Sequence, residues 1–399
     1  MTDRRLFSLH DFQTGLGFFD RIGHARFKFC LMTLGSKGSA PDEVAFSFFS
    51  RTMADFADKR RHFKLSRSAI ARINPETLSV PVFRVEQDAI LATKLYEVAG
   101  AGVRPLSWLS LKQNVFSSSN DTDLSQFEAV MPGDEGSVAI YRGAMFHQYD
   151  HSFATNVAGD FTQTLDTGRS VDLVMRSDKY VEQGYYQDRI ASKGIRASYH
   201  LAIRRIARPT DERTMIAAML PAVGVDDTAS ILVVRGSLEA ECCLLANLNS
   251  LVFDYACTQK IGGTDIRKHN FSQLPILGPS LYSASAIAFV IPRVRELTFT
   301  THSLTAFARD LGYEGPPYAW NEHRRAELQA ELDAWYASAY GLTRDELRYI
   351  LDPVDPLGDD YPSETFRVLK NNEIRKFGDY RTRRFVLEAW DRMEAGDLK

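Results

Sequence analysis

Positively charged side chains are concentrated in two short stretches of the sequence, and such groups can neutralise phosphates. The first stretch, residues 188–213, contains three acids and seven basic residues, namely Arg189, Lys193, Arg196, Arg204, Arg205, Arg208 and Arg213. A solvated surface held by salt bridges is the alternative interpretation. If this stretch contains a strand, alternation sends Arg204 and Arg205 to opposite faces, so at most one of them faces a groove unless the strand bulges.

The second stretch is a glycine-containing loop at residues 259–269. It offers hydrogen-bond donors at Lys260, Thr264, Arg267, Lys268 and His269. Two adjacent glycines, at positions 262 and 263, would let a phosphate or a base edge approach the main chain closely. A turn that needs positive φ at the glycines explains the same residues, and both interpretations can hold together.

Two further polar clusters are candidates for contact with a ligand. His147, Gln148, Asp150 and His151 lie beside a predicted strand, but they lack the three or four ligands at a known spacing that a metal site needs. We therefore predict a turn or a nucleic-acid contact there, with His147 and Gln148 as the contacting residues. The basic residues at 375–376 and 381–384 fit either a solvated face or a clamp on a phosphate backbone.

Composition limits the class of protein. A chain of 399 residues is long enough for two or three domains. Its net charge of −3 excludes a surface coated with phosphate-binding charge, so any nucleic-acid contact must be local. The four cysteines lack zinc-site spacing and are expected to be reduced thiols. Neither a signal peptide nor a membrane span is found in the sequence, which predicts a cytoplasmic protein without a membrane partner.

The hydrophobic pattern predicts an α+β protein. Residues 24–34 have the composition of a strand that enters a covered sheet, with partners supplied by local strands or by another polypeptide. Residues 66–73 are predicted as a short turn, 88–99 as a helix and 114–136 as an exposed loop. Strands are predicted at 138–141, 199–206, 215–220 and 231–234, and helical spacing returns at 238–257. After Pro275 the chain is predicted to be mainly helical, with a capping box at residues 343–346.

Several segments, in order, resemble the type IIG restriction–modification enzymes and the related adenine-specific DNA methylases of the BREX and DISARM phage-defence systems. The likeness spans nearly the whole chain, and residues 204–218 are its most distinctive match. The other matching segments are residues 26–34, 71–77, 81–84, 141–150, 249–264, 273–275, 292–297, 310–317 and 380–389. The resemblance implies the C-terminal, target-recognition portion of such an enzyme.

The resemblance also divides the chain. It implies the end of a methyltransferase-like domain at 1–65, a linker and helical segment at 66–136, a mixed α/β target-recognition domain at 137–280 and a helical C-terminal domain at 281–399. The contacts expected with double-stranded DNA come from Arg204, Arg205, Arg208, Arg213, Lys260, Thr264, Arg267 and Lys268, together with His147 and Gln148.

The catalytic signatures of this family are not found in the sequence. Its methylases use an Asn/Asp-Pro-Pro-Tyr/Phe motif to hold a flipped adenine. The sole Pro-Pro-aromatic segment here, residues 315–318, begins with glycine, which has no side-chain acceptor. The glycine-rich segments at 15–20 and 100–102 are better explained as turns than as a cofactor loop. No nuclease motif of an acid followed by Glu-x-Lys is found either.

Three functions therefore stay open. The chain could recognise DNA for a separate methyltransferase chain, and for a nuclease chain as well, with S-adenosylmethionine bound in that partner and no cofactor or metal in this one. It could instead be a divergent methyltransferase in its own right. It could also be an inactive remnant of a longer type IIG enzyme. The first is the leading hypothesis.

Overall fold

The structure of the protein is a computed structural model that describes residues 5–13, 18, 28–74, 78, 82–100, 107–130, 134–164, 169–208, 211–261 and 264–398. The strands in these residues are β1 Leu6–Gln13, β2 Lys28–Leu34, β3 Glu43–Ser50, β4 Phe63–Ser66, β5 Leu109–Gln113, β6 Ser137–Tyr141, β7 Ala154–Val157, β8 Asp160–Gln163, β9 Tyr180–Glu182, β10 Tyr199–Arg204, β11 Ala217–Pro221, β12 Gly224–Val225 and β13 Ala229–Val234.

The helices in the described residues are α1 Met53–Ala57, α2 Arg67–Ile73, α3 Glu86–Ala99, α4 Asp121–Ala129, α5 Gln183–Ser192, α6 Leu238–Asn249, α7 Leu251–Lys260, α8 Lys268–Phe271, α9 Ala284–Thr298, α10 Thr305–Asp310, α11 Glu322–Ala339, α12 Arg344–Leu351, α13 Val354–Leu357, α14 Arg367–Phe377 and α15 Arg381–Glu394. The α+β class predicted from the sequence is confirmed. Among the described helices, none combines the length and the apolar composition needed to cross a bilayer.

The chain forms two compact units that do not follow chain order. The first consists of Met1–Pro105, Gln273–Pro275 and Ala339–Arg367, and the second of Leu106–Ser272, Ile276–Ser338 and Val368–Lys399. The four-part division implied by the resemblance stays a prediction.

The first unit contains a four-stranded sheet in the order β2-β1-β3-β4. Strand β1 pairs antiparallel with β2 and parallel with β3, and β3 pairs antiparallel with β4. Phe46 of β3, Phe63 of β4, Ile70 of α2 and Leu91 of α3 are almost completely buried in this unit. One face of the sheet is thus covered by its own helices.

Strand β2 lies where the sequence predicted a strand, but the prediction that it is covered was wrong. It is the edge of the sheet, and Leu31, Met32 and Leu34 are each more than half exposed. Its hydrogen-bonded partner within the chain is the preceding local strand, β1. Residues 24–27 of the predicted strand fall outside the described part of the chain.

The second unit contains the main sheet of the protein, in the order β11-β10-β13-β5, with every neighbouring pair antiparallel. A three-stranded sheet, β12-β6-β9, and the hairpin of β7 and β8 accompany it. A continuous core joins the two larger sheets through side chains such as Phe116, Ile140, Ala202 and Ile231, all of which are fully buried. The main sheet carries the basic strand β10 to its end at Arg204.

Local sequence signals account for some of the element boundaries. Helix α3 and four strands of the second unit, β6, β10, β11 and β13, lie at or within a few residues of their predicted positions. Thr343 and Glu346 form the predicted capping box. The predicted helix at 238–257 is two helices, since Ser250 takes an extended conformation and caps the second one by accepting from the Phe253 N–H.

Two predictions of irregular structure were wrong. Residues 67–73 form helix α2 rather than a turn, capped by the Ser66 side chain, which accepts from the Ala69 N–H. The Ser- and Asp-rich loop predicted at 114–136 contains helix α4. Asn120 begins it by accepting from the N–H groups of Thr122 and Asp123. Ser66 and Asn120, which the sequence pattern placed in a turn and in a loop, act as N-caps of these helices.

Candidate nucleic-acid interface

The two basic stretches of the sequence lie side by side in the second unit. The Ile266 N–H donates to the Arg205 carbonyl at 2.8 Å, and the Ala207 N–H donates to the Thr264 carbonyl at 3.2 Å. Between these bonds Ile206 and Asp265 form an antiparallel bridge. We call residues 205–208 and 264–268 the paired-loop surface.

Two arginines on the paired-loop surface share one carboxylate. Arg205 contacts Asp265 through Nε at 2.9 Å and Nη2 at 3.2 Å, and Arg267 contacts the same group through Nε at 3.1 Å. The Arg205 Nη1 atom also donates to the Asn114 side chain at 2.8 Å. Asp265 thus holds two guanidinium groups in fixed positions and compensates one of their two charges.

Three further predicted residues of this surface face solvent. Arg208, Thr264 and Lys268 are exposed, and the Arg267 side chain is 65% exposed despite its ion pair. Among the described residues, no carboxylate lies within ion-pair distance of Arg208 or Lys268. The paired-loop surface therefore carries four cations against one carboxylate, although Asp211 approaches the Arg208 main-chain N–H at 3.2 Å.

Lys260 is the last residue of helix α7, four positions before Thr264 of the paired-loop surface. It is half-buried. The positive φ angles predicted for the glycines at 262 and 263 fall outside the described residues.

Arg204 points away from the paired-loop surface, as strand alternation predicts. Its Nε and Nη2 atoms donate to the Phe146 carbonyl at 2.9 and 2.6 Å. Burial lowers the pKa of Arg204 to about 10, against the opposing attraction of Asp211 and Asp150. The guanidinium therefore satisfies a main-chain acceptor inside the protein.

Arg213 is buried in a network that joins β11 to helices α6 and α7. Its Nε donates to Asp254 at 2.7 Å, and its Nη2 donates to the Asn249 carbonyl at 2.6 Å. Asp254 also accepts from the main-chain N–H groups of Thr214 and Met215. Burial raises the pKa of Asp254, although Arg213 and these N–H groups oppose the shift.

This network explains two of the segments singled out in the sequence. The Asn249 side chain accepts from the Ala217 N–H and donates to the Ala217 carbonyl, both at 2.9 Å. Residues 204–218 and 249–264 therefore contact one another through specific polar pairs, and the arginine, asparagine and aspartate in them have structural partners.

The cluster at residues 147–151 forms a tight turn. The His147 N–H donates to the Asp150 carbonyl at 2.7 Å, and the Gln148 side chain donates to the Met215 and Asn249 carbonyls at 3.1 and 3.2 Å. Burial, together with the charge of nearby Arg204, lowers the pKa of His147 to about 3. The ring is neutral at physiological pH.

Asp150 and His151 are also held inside the protein. Asp150 forms an ion pair with Arg169 at 2.9 Å, and the His151 ring bonds to the Thr301 hydroxyl at 2.8 Å. Within the described ranges, no group of three or more His, Cys, Asp or Glu side chains could hold a metal ion. The four cysteines are unpaired, and Cys30 is the exposed one.

His147, Gln148 and Arg213 line a cavity that the sequence did not predict. Its other walls come from α11, α14 and α15, including Asp333, Glu373 and Arg381. The sequence contained one indication of this cavity. Asp333 follows Leu332 on the apolar side of α11, and a carboxylate at the edge of a buried helix face is unusual.

Comparisons with known proteins do not assign this chain to a family. No family model matches the chain, and no curated protein matches it. A solved structure of the type IIG restriction endonuclease BpuSI is similar at 13% identity, with a TM-score of 0.30. The matched region covers 85% of this chain and 44% of that one, so this chain spans less than half the length of the endonuclease. So low a TM-score carries no argument about function.

Proposed function

We propose that this chain binds double-stranded DNA through the paired-loop surface and recognises a target for an adenine-specific DNA methyltransferase of a restriction–modification or phage-defence system. The observation that carries the proposal is the main-chain pairing of residues 205–208 with 264–268. It collects Arg208, Arg267 and Lys268, which are distant in sequence, on one exposed surface.

The composition of this surface suits contact with a nucleic acid. Cations without a nearby carboxylate bind phosphates and release counterions, which gives affinity without sequence preference. Thr264 and the second guanidinium edge of Arg267 can donate to base edges, which gives preference among sequences. Exposed Ile206 lies among these donors and is suited to contact a thymine methyl group.

The proposal assigns the chemistry to another module. The family resemblance implies methyl transfer from S-adenosylmethionine, and the sequence of this chain lacks the Asn/Asp-Pro-Pro-Tyr/Phe motif that would bind the target adenine. In this proposal a separate methyltransferase chain, alone or with a nuclease chain, binds the methyl donor and acts on the base that this chain selects. Calorimetry with S-adenosylmethionine checks this assignment, since tight binding by this chain alone would contradict it.

DNA binding is tested by fluorescence anisotropy with a labelled duplex of random sequence, titrated with the full chain between 50 and 200 mM salt. We expect affinity to fall steeply with salt, because each neutralised phosphate contributes a slope of about −0.9 in log K against log salt. The variant Arg208→Glu/Arg267→Glu/Lys268→Glu is expected to bind at least about tenfold more weakly than the wild type.

A matched control separates a specific surface from general electrostatics. The variant Lys37→Glu/Lys59→Glu/Lys64→Glu makes the same change in net charge at three exposed lysines of the first unit. It is expected to retain most of the wild-type affinity. Equal losses in the two triple variants, or no binding by the wild-type chain at any salt, would overturn the proposal.

A further inference from the structure

The cavity in the second unit has a volume of about 170 Å³ and lies between the turn at 147–149, helix α11 and helices α14 and α15. An apolar protein cavity of about 150 Å³ is known to hold a benzene ring. This cavity therefore has room for a single six-membered ring or a molecule of similar size. Its walls combine apolar surface from Ala326, Ala330 and Phe385 with several polar side chains.

Asp333 is the wall residue whose hydrogen bonding is incomplete. It is 6% exposed, and its Oδ1 atom accepts from the Leu251 N–H at 2.7 Å. Among the described residues, no donor lies within hydrogen-bond distance of its Oδ2 atom. Burial raises the pKa of Asp333 to about 7, although Arg213 and the Leu251 N–H oppose the shift. Because Asp333 lines the cavity, a ligand N–H there could donate to the Oδ2 atom.

The other charges of the cavity are already compensated. Arg213 is held by Asp254 and the Asn249 carbonyl. Both oxygens of Glu373 accept from Thr382, one from its N–H and one from its hydroxyl, each at 2.7 Å. Arg381 packs over the Phe377 ring at 3.9 Å and lies 3.6 Å from Glu322.

One further acceptor is available beside Asp333. Glu212 lines the cavity, and one of its oxygens accepts from the Asn372 amide at 2.9 Å, which leaves the other for a ligand. The cavity thus offers carboxylate acceptors at Asp333 and Glu212, together with one buried donor that has no hydrogen-bond partner among the described residues, the Nε atom of Arg381.

We propose that this cavity binds a small organic cation, an amidinium, guanidinium or ammonium group on a body no larger than one ring, which donates an N–H to Asp333. A charge-assisted bond from such a group supplies the missing donor and a compensating charge together. The apolar wall at Ala326, Ala330 and Phe385 is suited to cover the body of the ligand. This site is separate from the paired-loop surface, and the proposal does not depend on DNA binding.

The test uses the full chain and two probes of nearly equal shape, benzamidine and benzamide. Isothermal titration calorimetry is expected to detect benzamidine binding, and neutral benzamide is expected to bind at least about tenfold more weakly, as loss of a charged hydrogen bond implies. Agmatine, a linear guanidinium, is expected to bind in the same cavity. No detectable benzamidine binding, or equal binding of benzamide, would overturn the proposal.

Variants locate the binding within the cavity. Asp333→Asn keeps the acceptor for the Leu251 N–H and removes the charge, so benzamidine affinity is expected to fall at least about tenfold. Ala326→Phe fills the cavity and is expected to abolish binding. Glu327→Gln, an exposed carboxylate on the same helix, is the matched control and is expected to leave affinity unchanged. Unaltered affinity in Asp333→Asn or Ala326→Phe contradicts the assignment of the binding site. If either variant fails to fold, the comparison of benzamidine with benzamide on the wild type decides whether the proposal stands.

Discussion

Arg213 and Arg208 lie five residues apart in one basic stretch, yet the fold gives them opposite environments. Arg213 is buried against Asp254, which is fully buried, whereas Arg208 is exposed and, among the described residues, has no carboxylate within ion-pair distance. The same contrast divides nine of the ten predicted contact residues. Arg204, Arg213, His147 and Gln148 satisfy internal acceptors or form a turn, while Arg205, Arg208, Thr264, Arg267 and Lys268 belong to the paired-loop surface. The tenth, Lys260, is half-buried at the end of α7 and belongs to neither group.

A local excess of arginine therefore does not by itself indicate a ligand-binding surface. A guanidinium has five N–H donors, so it can satisfy buried main-chain carbonyls as readily as it binds phosphate. Arg204 does so at the Phe146 carbonyl and Arg213 at the Asn249 carbonyl. The remaining candidates for DNA contact are the cations that lack such internal acceptors.

The largest effect is expected on stability, when the buried Arg213 is replaced. Arg213→Met leaves Asp254 as an uncompensated buried charge, and the free energy of unfolding is expected to fall by about 3–5 kcal/mol. Urea denaturation at pH 7.5 measures it. Arg208→Met is the matched variant and should change stability by less than about 0.5 kcal/mol. Similar losses of unfolding free energy in the two variants would show that the buried Arg213 contributes no more to stability than the exposed Arg208.

The second effect extends the comparison from arginine to histidine. Burial lowers the pKa of His151 and His200 to about 4, and these residues are 1% and 2% exposed. Because the folded pKa lies below the unfolded value near 6.5, their contribution is fully present above pH 6.5 and is lost as the pH falls toward 4. Each of them, like His147, is expected to lower stability by about 1.3 kcal/mol between pH 7.5 and 5.5.

Urea midpoints at the two pH values test this expectation. In His200→Gln, which cannot be protonated at this position, the loss between pH 7.5 and 5.5 should be smaller than in the wild type by about 1.3 kcal/mol. The exposed His269 provides the control, and His269→Gln should retain the full pH dependence. An unchanged dependence in His200→Gln would contradict the assigned pKa.

A smaller effect concerns Asp265, which holds two arginines of the paired-loop surface. Asp265→Asn removes the one carboxylate and leaves hydrogen-bond capacity for Arg205, so stability should fall by no more than about 1 kcal/mol. DNA affinity should rise roughly threefold at low salt, because a repulsion with phosphate disappears. Anisotropy titrations at 50 mM salt measure the change. A fall in affinity would mean that Asp265 matters more for orienting the arginines than for their net charge.

The smallest effect is that of a single exposed cation. Lys268→Ala removes one phosphate contact, so the slope of log K against log salt should become shallower by about 0.9 while stability is unchanged. The matched variant Lys64→Ala in the first unit should leave the slope as it is. If both variants keep the wild-type slope, Lys268 does not contact phosphate.

The secondary structure was predicted well where local chemistry determines it. Helix α3, the capping box at Thr343 and strands β10, β11 and β13 of the main sheet follow from periodicity and from cap residues, whereas β5 was not predicted. Helix α4 was missed because Asn120 was interpreted as a loop residue rather than as an N-cap. The exposed edge position of β2 was missed because its apolar run is also typical of a covered strand.

The candidate sites were predicted less completely. The basic residues themselves are evident in the sequence, but the sequence does not show which of them are buried and which are exposed. The cavity around Asp333 draws its walls from five distant parts of the chain, at residues 147–149, 212–213, 249, 326–333 and 369–386, and no short motif could indicate it.

The sequence by itself determined the α+β class, the positions of some helices and strands and the location of positive charge along the chain. Tertiary structure alone decided which cations reach solvent. The reason is physical: a guanidinium remains at the surface unless the fold offers it a buried carboxylate or carbonyl, and those partners come from residues far along the chain, as Asp254 does for Arg213. The pairing of residues 205–208 with 264–268 is likewise made by main-chain hydrogen bonds, which leave no signature in the side-chain pattern.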